Sequence, residues 1–177
     1  MKSSENGFTL IEILISLTVM ALASSAAGAA IFQIMGNTER NSDYMTMVRQ
    51  VENAGYWISN DTQMATSANA TGNQSPPNFL VLNWISWNSS GDPIYHTATY
   101  FFEGLSDGVG TLKRRHWSSA GANEYAMIAQ YIYYNPDDIA NTSYSSYQNL
   151  VLTVTLTSRL GQKTESKEYK IAHRPNF

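Results

Sequence analysis

Cysteine is absent from the 177 residues, so neither a disulfide framework nor a thiolate-held metal is possible, and the redox compartment cannot be read from cysteine usage. Charge is scarce too. Only 14% of residues are Asp, Glu, Lys or Arg and the net charge is −3, which argues against binding nucleic acid through bulk electrostatics. Histidine occurs only as His96, His116 and His173, none in a metal-chelating spacing, and as strand residues they read as ordinary surface or edge positions. There is no Gly-x-Ser-x-Gly, no phosphate loop and no repeat period. Catalysis therefore has no support, and neither a cofactor nor a metal is expected. What the chain has in quantity is Tyr, Trp, Thr, Asn and Ser, a composition that fits a β-rich surface facing water outside the cytoplasm.

The length fits one membrane segment and one soluble domain of roughly 140 residues, enough for a modest core. Met1 to Gly7 are polar, with Lys2 and the amino terminus opposed by Glu5, a balance that keeps this end cytoplasmic. From Phe8 to Met35 the only ionisable side chain is Glu12. As a helix this stretch reaches about 42 Å, more than the ~30 Å of a bilayer's hydrocarbon core. It is apolar around its whole circumference, so lipid or equally apolar helices must surround it.

Two readings compete for this segment. A secretory signal peptide would be cut beside small residues, and Ala21-Leu22-Ala23 or Ala27-Gly28-Ala29 supplies such a site. Against it stands Glu12, because a carboxylate in a lipid-facing helix centre costs roughly 2.5 to 3.5 kcal/mol and gains nothing in a discarded peptide. The carboxylate calls for a lasting partner.

Gly7-Phe8-Thr9-Leu10-Ile11-Glu12-Ile13-Leu14 resembles the processing motif of type IV pilins and type II secretion pseudopilins. The resemblance covers the leader, the cut site, the Phe and the Glu; the leader departs only in having one lysine and one acidic residue where many are more basic. It implies that prepilin peptidase cuts after Gly7 and that Phe8 becomes the N-methylated first residue. It also implies membrane lipid as the surroundings before assembly, then an inner-membrane assembly platform and other pilin or pseudopilin subunits as partners. Cleavage would create an ammonium at Phe8 four residues from Glu12, and ammonium and carboxylate on neighbouring subunits would neutralise each other. A buried pair adds little net stability, so Glu12 reads as a register device that leaves a charge unpaired in any misdocked subunit.

Beyond the apolar run, Tyr44, Met47, Val48, Val51, Gly55 and Ile58 recur every three or four residues while Glu39, Arg40, Asp43, Arg49 and Glu52 fall on other faces, which predicts an amphipathic helix over 36–65. Gly28 and Gly36 weaken the helix by about 1 kcal/mol each and mark places for it to bend or loosen. Thr66 to Asn78, with Pro76-Pro77, reads as a loop. After it come six strand-like runs: Phe79 to Trp87, Ile94 to Glu103, Thr111 to Trp117, Tyr125 to Tyr134, Leu150 to Ser158 and Glu168 to His173, with Tyr125 to Tyr134 open to a short helix instead. The organisation expected is a leader over 1–7, a membrane or filament-core half-helix over 8–35, the amphipathic half over 36–65 and a β-rich head over 66–177. The fold class is α+β, a long N-terminal helix packed on an antiparallel sheet. Tyr100-Phe101-Phe102, Gly110 to Arg115, Ala126 to Ala129 and Arg174-Pro175-Asn176 are similar in order to larger minor pilins, of J-type or W-type character, which implies a minor subunit that starts or caps a filament.

Two clusters in the head invite chemistry. Asp137 and Asp138 after Asn135-Pro136 read as the start of a turn, with calcium binding a lesser alternative. Lys113-Arg114-Arg115-His116-Trp117 is the one basic patch, but in a strand Arg114 and His116 face opposite to Lys113, Arg115 and Trp117. A subunit contact is therefore favoured over nucleic acid for Lys113, Arg114 and Arg115. The rival to a filament subunit is a single-pass anchored binding module, a DNA or surface receptor at a pilus tip.

Overall fold

The computed structural model describes residues 9–70 and 78–172. Gly7, Phe8, the Pro76-Pro77 pair, His173 and Arg174-Pro175-Asn176 lie outside the described residues. The chain divides into two compact units, Met1–Ser42 and Asp43–Phe177. One helix, α1 (Leu10–Met64), contributes to both.

In the first unit the helix carries apolar side chains on every side, and large ones such as Leu10, Leu17, Met20 and Phe32 are exposed. By length and composition α1 is able to cross a membrane. Several of its hydroxyls bond back into the helix: Ser16 Oγ donates to Glu12 O at 2.8 Å, Thr18 Oγ1 to Leu14 O at 2.6 Å and Thr38 Oγ1 to Ile34 O at 2.9 Å. Polar groups bonded back into their own helix need no partner from an apolar medium. The segment stays α-helical through Gly28 and Gly36.

In the second unit α1 buries one stripe, Met47, Val51, Ala54, Gly55, Ile58, Asp61 and Thr62. The predicted stripe is shifted at both ends. Tyr44 is exposed, and Asp61 and Thr62 lie inside. Ile58, Val51 and Ala54 join Leu80, Leu82, Ala98, Tyr100, Leu112, Ile128, Ile132, Leu152, Val154 and Leu156 from the sheet in a single core.

Among the described residues eight strands form that sheet: β1 (Ser67–Ala70), β2 (Asn78–Trp87), β3 (Pro93–Ser106), β4 (Val109–Ser118), β5 (Asn123–Tyr133), β6 (Tyr144–Gln148), β7 (Val151–Leu160) and β8 (Lys163–Ala172). All pairings are antiparallel, in the order β1-β2-β3-β4-β5-β7-β6 with β8 also on β7. The fold is thus α+β, a long helix on an antiparallel sheet. The sheet curls: Ser145 Oγ of β6 donates to Phe79 O of β2 at 2.8 Å, bringing its two ends together. The run from Tyr125 is strand as far as Tyr133, not helix, and its alternate residues Ala126 and Ile128 face the core.

Two strands were not foreseen. Ser67–Ala70 lies in the stretch read as loop, yet it pairs with β2 from Ser67↔Asn83 to Ala70↔Leu80. Tyr144–Gln148 pairs with β7 through a two-residue connection, Asn149 and Leu150, both at positive φ (52° and 62°). That is the φ pattern of a type I′ hairpin turn. Leu150 therefore stands exposed in the turn, and the strand expected from Leu150 begins one residue later, at Val151.

Candidate functional site

At the start of α1, Glu12 sits in the first turn, where its N–H donates to Thr9 O at 3.0 Å and the helix dipole favours a carboxylate. Its neighbours Leu10, Ile11 and Ile13 are exposed, Leu10 to 83%. Among the described residues no ion pair engages Glu12. At this end of the described chain a carboxylate adjoins an uncovered apolar helix, while Gly7 and Phe8 lie outside the described residues.

The basic patch is divided by the strand alternation, as read, but with a consequence not foreseen. Arg114 points inward and is buried. Its Nε donates to Asp61 Oδ2 at 2.7 Å and its Nη2 to Asp61 Oδ1 at 2.9 Å, a bidentate pair between sheet and helix. Tyr100 OH donates to the same Oδ2 at 2.6 Å, and the guanidinium lies 5.3 Å from the Trp57 ring centre. Burial pushes the Tyr100 phenol well above its usual range, and the Asp61 charge adds to the effect. Burial opposes the charge on Arg114, but the bonds to Asp61 outweigh it and raise the guanidinium's pKa. Arg114 is therefore a structural cation, and its place in a surface contact with Lys113 and Arg115 is corrected.

On the opposite face, Lys113 pairs with Glu103 of β3. Arg115 is exposed, and with Thr97, Thr99, Trp117, Asn123 and Tyr125 it lines an open groove of about 320 Å³. Trp117 and Tyr125 show 46% and 62% of their surface there. The groove offers two aromatic faces, one cation and several hydrogen-bonding groups.

His96 and His116 are not isolated edge residues. Their register across β3 and β4 brings His96 Nδ1 to 3.2 Å from His116 Nε2, with the two rings within 7° of parallel. Trp84 lies parallel to both, at centroid distances of 5.2 and 5.3 Å. Burial, then the nearby His116, lowers the pKa of His96. Spacing along the chain did not show this pair, because it is made by strand register.

Asp137 and Asp138 build a turn, as read: Asn135 Oδ1 accepts from Asp137 N at 3.0 Å, and Asp138 is engaged by Tyr133 OH at 3.1 Å and by Asn141 Nδ2 at 3.0 Å. Among the described residues no three or more His, Asp or Glu side chains converge as metal ligands.

Comparison with known protein families adds one match: the model of the prokaryotic N-terminal methylation motif fits residues 2–28. That stretch includes Gly7, Phe8 and Glu12 and the first turns of α1, and the match supports the pilin and pseudopilin family through its prepilin-type signal. Such a signal implies processing by prepilin peptidase and assembly with other pilins. With the apolar helix it supports membrane anchoring. No curated protein and no solved structure matches the chain.

Proposed function

We propose that this chain is a minor pilin or pseudopilin, a structural and non-enzymatic subunit of a type IV pilus-like or type II secretion filament. The observation that carries the reading is the methylation motif over residues 2–28, set on a helix whose apolar surface is uncovered on all sides. Before assembly the chain stands in the inner membrane, amino terminus in the cytoplasm and head outside. Prepilin peptidase cuts after Gly7 and Phe8 is N-methylated. The assembly platform then draws the helix out of lipid into a bundle of like helices, a step that keeps apolar surface away from water throughout. Within that bundle Glu12 meets the ammonium of a neighbouring subunit and fixes the register.

Mass spectrometry of the mature chain tests the address: the amino terminus should be N-methylated Phe8, and a start after Ala23 or Ala29 would mean an ordinary signal peptide and end the proposal. Glu12→Ala tests the charge. Incorporation into filaments should fall to background while membrane insertion and head folding persist; unimpaired incorporation would count against the register role.

A second reading, the anchored binding module, draws on the groove beside Trp117, Tyr125 and Arg115, which has the elements for stacking a base and holding a phosphate. The variant suited to it is Lys113→Ala with Arg115→Ala, leaving Arg114 in its pair with Asp61. Salt-sensitive binding of single-stranded DNA that this variant loses would favour the receptor. No binding at low salt would leave the face as a subunit contact.

A further inference from the structure

The helix-facing side of the sheet carries a row of polar side chains across four strands beyond the Asp61 and Arg114 pair. Strand register sets it out: Trp84 of β2 opposite His96 of β3, His116 of β4 opposite Glu124 of β5, and Ser86 two residues past Trp84 on the same face. Each imidazole is approached on its outer nitrogen by a partner outside the pair. Ser86 Oγ lies 2.8 Å from His96 Nε2, and Glu124 Oε2 lies 3.8 Å from His116 Nδ1. A carboxylate only accepts, so Glu124 favours the proton of neutral His116 on Nδ1 and leaves Nε2 with its lone pair. A hydroxyl both donates and accepts, so Ser86 is compatible with either tautomer of His96.

From this arrangement we infer that His96 Nδ1 and His116 Nε2 together bind a divalent first-row transition-metal ion, copper(II) most tightly, in a two-imidazole site completed by water. An ion about 2.0 to 2.1 Å from each nitrogen subtends about 100° at their 3.2 Å separation, between square-planar and tetrahedral values. The Trp84 indole lies parallel to both rings. The ion stands off the line between the two nitrogens, so each imidazole turns by up to roughly 40° to aim its lone pair at it. With both rings neutral and the His116 proton on Nδ1, His96 Nδ1–H donates to His116 Nε2 in the metal-free protein and Ser86 donates to His96 Nε2. On binding, that proton moves through solvent from Nδ1 to Nε2 of His96, and Ser86 turns from donor to acceptor. No net proton is released when both rings begin neutral. Ser86 and Glu124 are then outer partners that hold the tautomers, the role a second layer of hydrogen bonds plays around metal-bound histidine. Copper ranks first because two neutral imidazoles and water follow the common order of divalent affinities, in which copper(II) exceeds nickel(II) and zinc(II).

The test uses the full-length chain in detergent, stripped of metal and titrated with Cu²⁺ against a weak competing chelator. One equivalent should bind, with an electron paramagnetic resonance spectrum showing two coupled nitrogens. His96→Gln and His116→Gln should each weaken binding at least tenfold, Glu124→Gln by about tenfold, and His173→Gln should leave it unchanged. Binding that survives both His96→Gln and His116→Gln, or that His173→Gln abolishes, overturns the site. A measurement without substitution keeps the question open to refutation should those variants misfold. In wild-type protein, Zn²⁺ should shift the imidazole ¹⁵N signals of His96 and His116, and a titration that moves neither refutes the inference.

Discussion

Asp61 lies within a turn of the C-terminal end of α1, where the helix dipole disfavours a carboxylate, and it is buried there as well. Arg114 and Tyr100 supply the compensation, three hydrogen bonds into one carboxylate. Because a buried pair is worth little against a well-packed apolar substitute but much when half of it is removed, the single and double variants should diverge. Asp61→Ala should destabilise the protein by about 3 to 5 kcal/mol in denaturant unfolding, whereas Asp61→Leu combined with Arg114→Met should lie near wild type. Tyr100→Phe, losing a bond to a charged group, should cost about 1.5 to 3 kcal/mol. Tyr100 also sets a sign for alkaline pH. The folded state holds this phenol's proton well above the ordinary value of 10.0, and the unfolded chain releases it near that value. Its contribution is therefore full below pH 10 and is lost as pH rises from there toward the folded pKa. Melting curves between pH 9 and 11 should show a shallower decline for Tyr100→Phe, with the residual slope shared by Tyr134 and Tyr169, whose pKa values are also raised by burial, and by Lys167 and Lys170, whose pKa values are raised by hydrogen bonds to Glu52 and Glu168. At the β6–β7 turn, Leu150 holds φ 62° with its side chain in water. Leu150→Gly removes the left-handed cost of about 1 to 2 kcal/mol and adds backbone freedom to the unfolded chain, so a net gain of up to about 1 kcal/mol is expected in thermal or denaturant melts.

Among the elements, α1 and β8 meet through a residue without a side chain. A Cβ at Gly55 would fall 2.1 Å from Tyr169 Cζ, and the Tyr169 hydroxyl donates to Val51 O at 3.2 Å. Glycine there gives up about 1 kcal/mol of helix propensity so that the tyrosine lies across the helix. Gly55→Ala should accordingly destabilise the wild-type protein through overpacking, yet stabilise a Tyr169→Ala background by up to about 1 kcal/mol, a reversal readable in a double-mutant cycle. This is also the scale at which the limits of sequence reading show. The stripe through Met47, Val51 and Ile58 and the strands around Leu82, Tyr100, Leu112 and Val154 were legible because burial imposes a period of 3.6 or 2 on apolar residues. Ser67–Ala70 and Tyr144–Gln148 were not, since Ser-Ala-Asn-Ala and Tyr-Ser-Ser-Tyr-Gln bury mostly small or polar groups. Leu150 misled for the converse reason: an apolar residue continued a pattern that a turn had ended. At the sites, Gly7 to Leu14 reads as a motif within the residues 2–28 that the methylation-motif model matches, and the division of Lys113, Arg114 and Arg115 followed from strand alternation. Asp61 carried a faint signal as an acid at the wrong end of a helix, but its partner 53 positions away, like the meeting of His96 with His116, is a product of register.

For the whole molecule, the two units differ in what stabilises them. Among the described residues, every member of the apolar core falls within Asp43–Phe177. A chain beginning at Asp43 should therefore fold in water with the head's far-ultraviolet spectrum and a cooperative melt, while the complete chain requires detergent or lipid. A molten truncated chain would show that the head depends on the first unit. Within the head the sheet is unevenly joined. β7 pairs with β8 at ten positions from Val151↔Ala172 to Leu160↔Lys163, but it meets β5 in register only at Ile132↔Ser158. Across that narrow join α1 takes hold of both parts. Asn53 Nδ2 donates to Ile128 O at 2.6 Å, and Gln50 Oε1 accepts from Gln130 N at 2.7 Å on one side. On the other, Lys163 reaches Asp43 at 2.8 Å and Tyr169 bonds Val51 O. In mechanical terms the helix is a splint over a seam. A pull that peels α1 from the sheet leaves β6–β8 held to β2–β5 by the short run of hydrogen bonds beside Ile132↔Ser158, by Ser158 Oγ on Tyr131 O, by Ser143 N on Tyr133 O, by Arg159 over the Tyr133 ring and by the contacts around Ser145, so the head should part there, along β5 and β7, before either hairpin stack unzips.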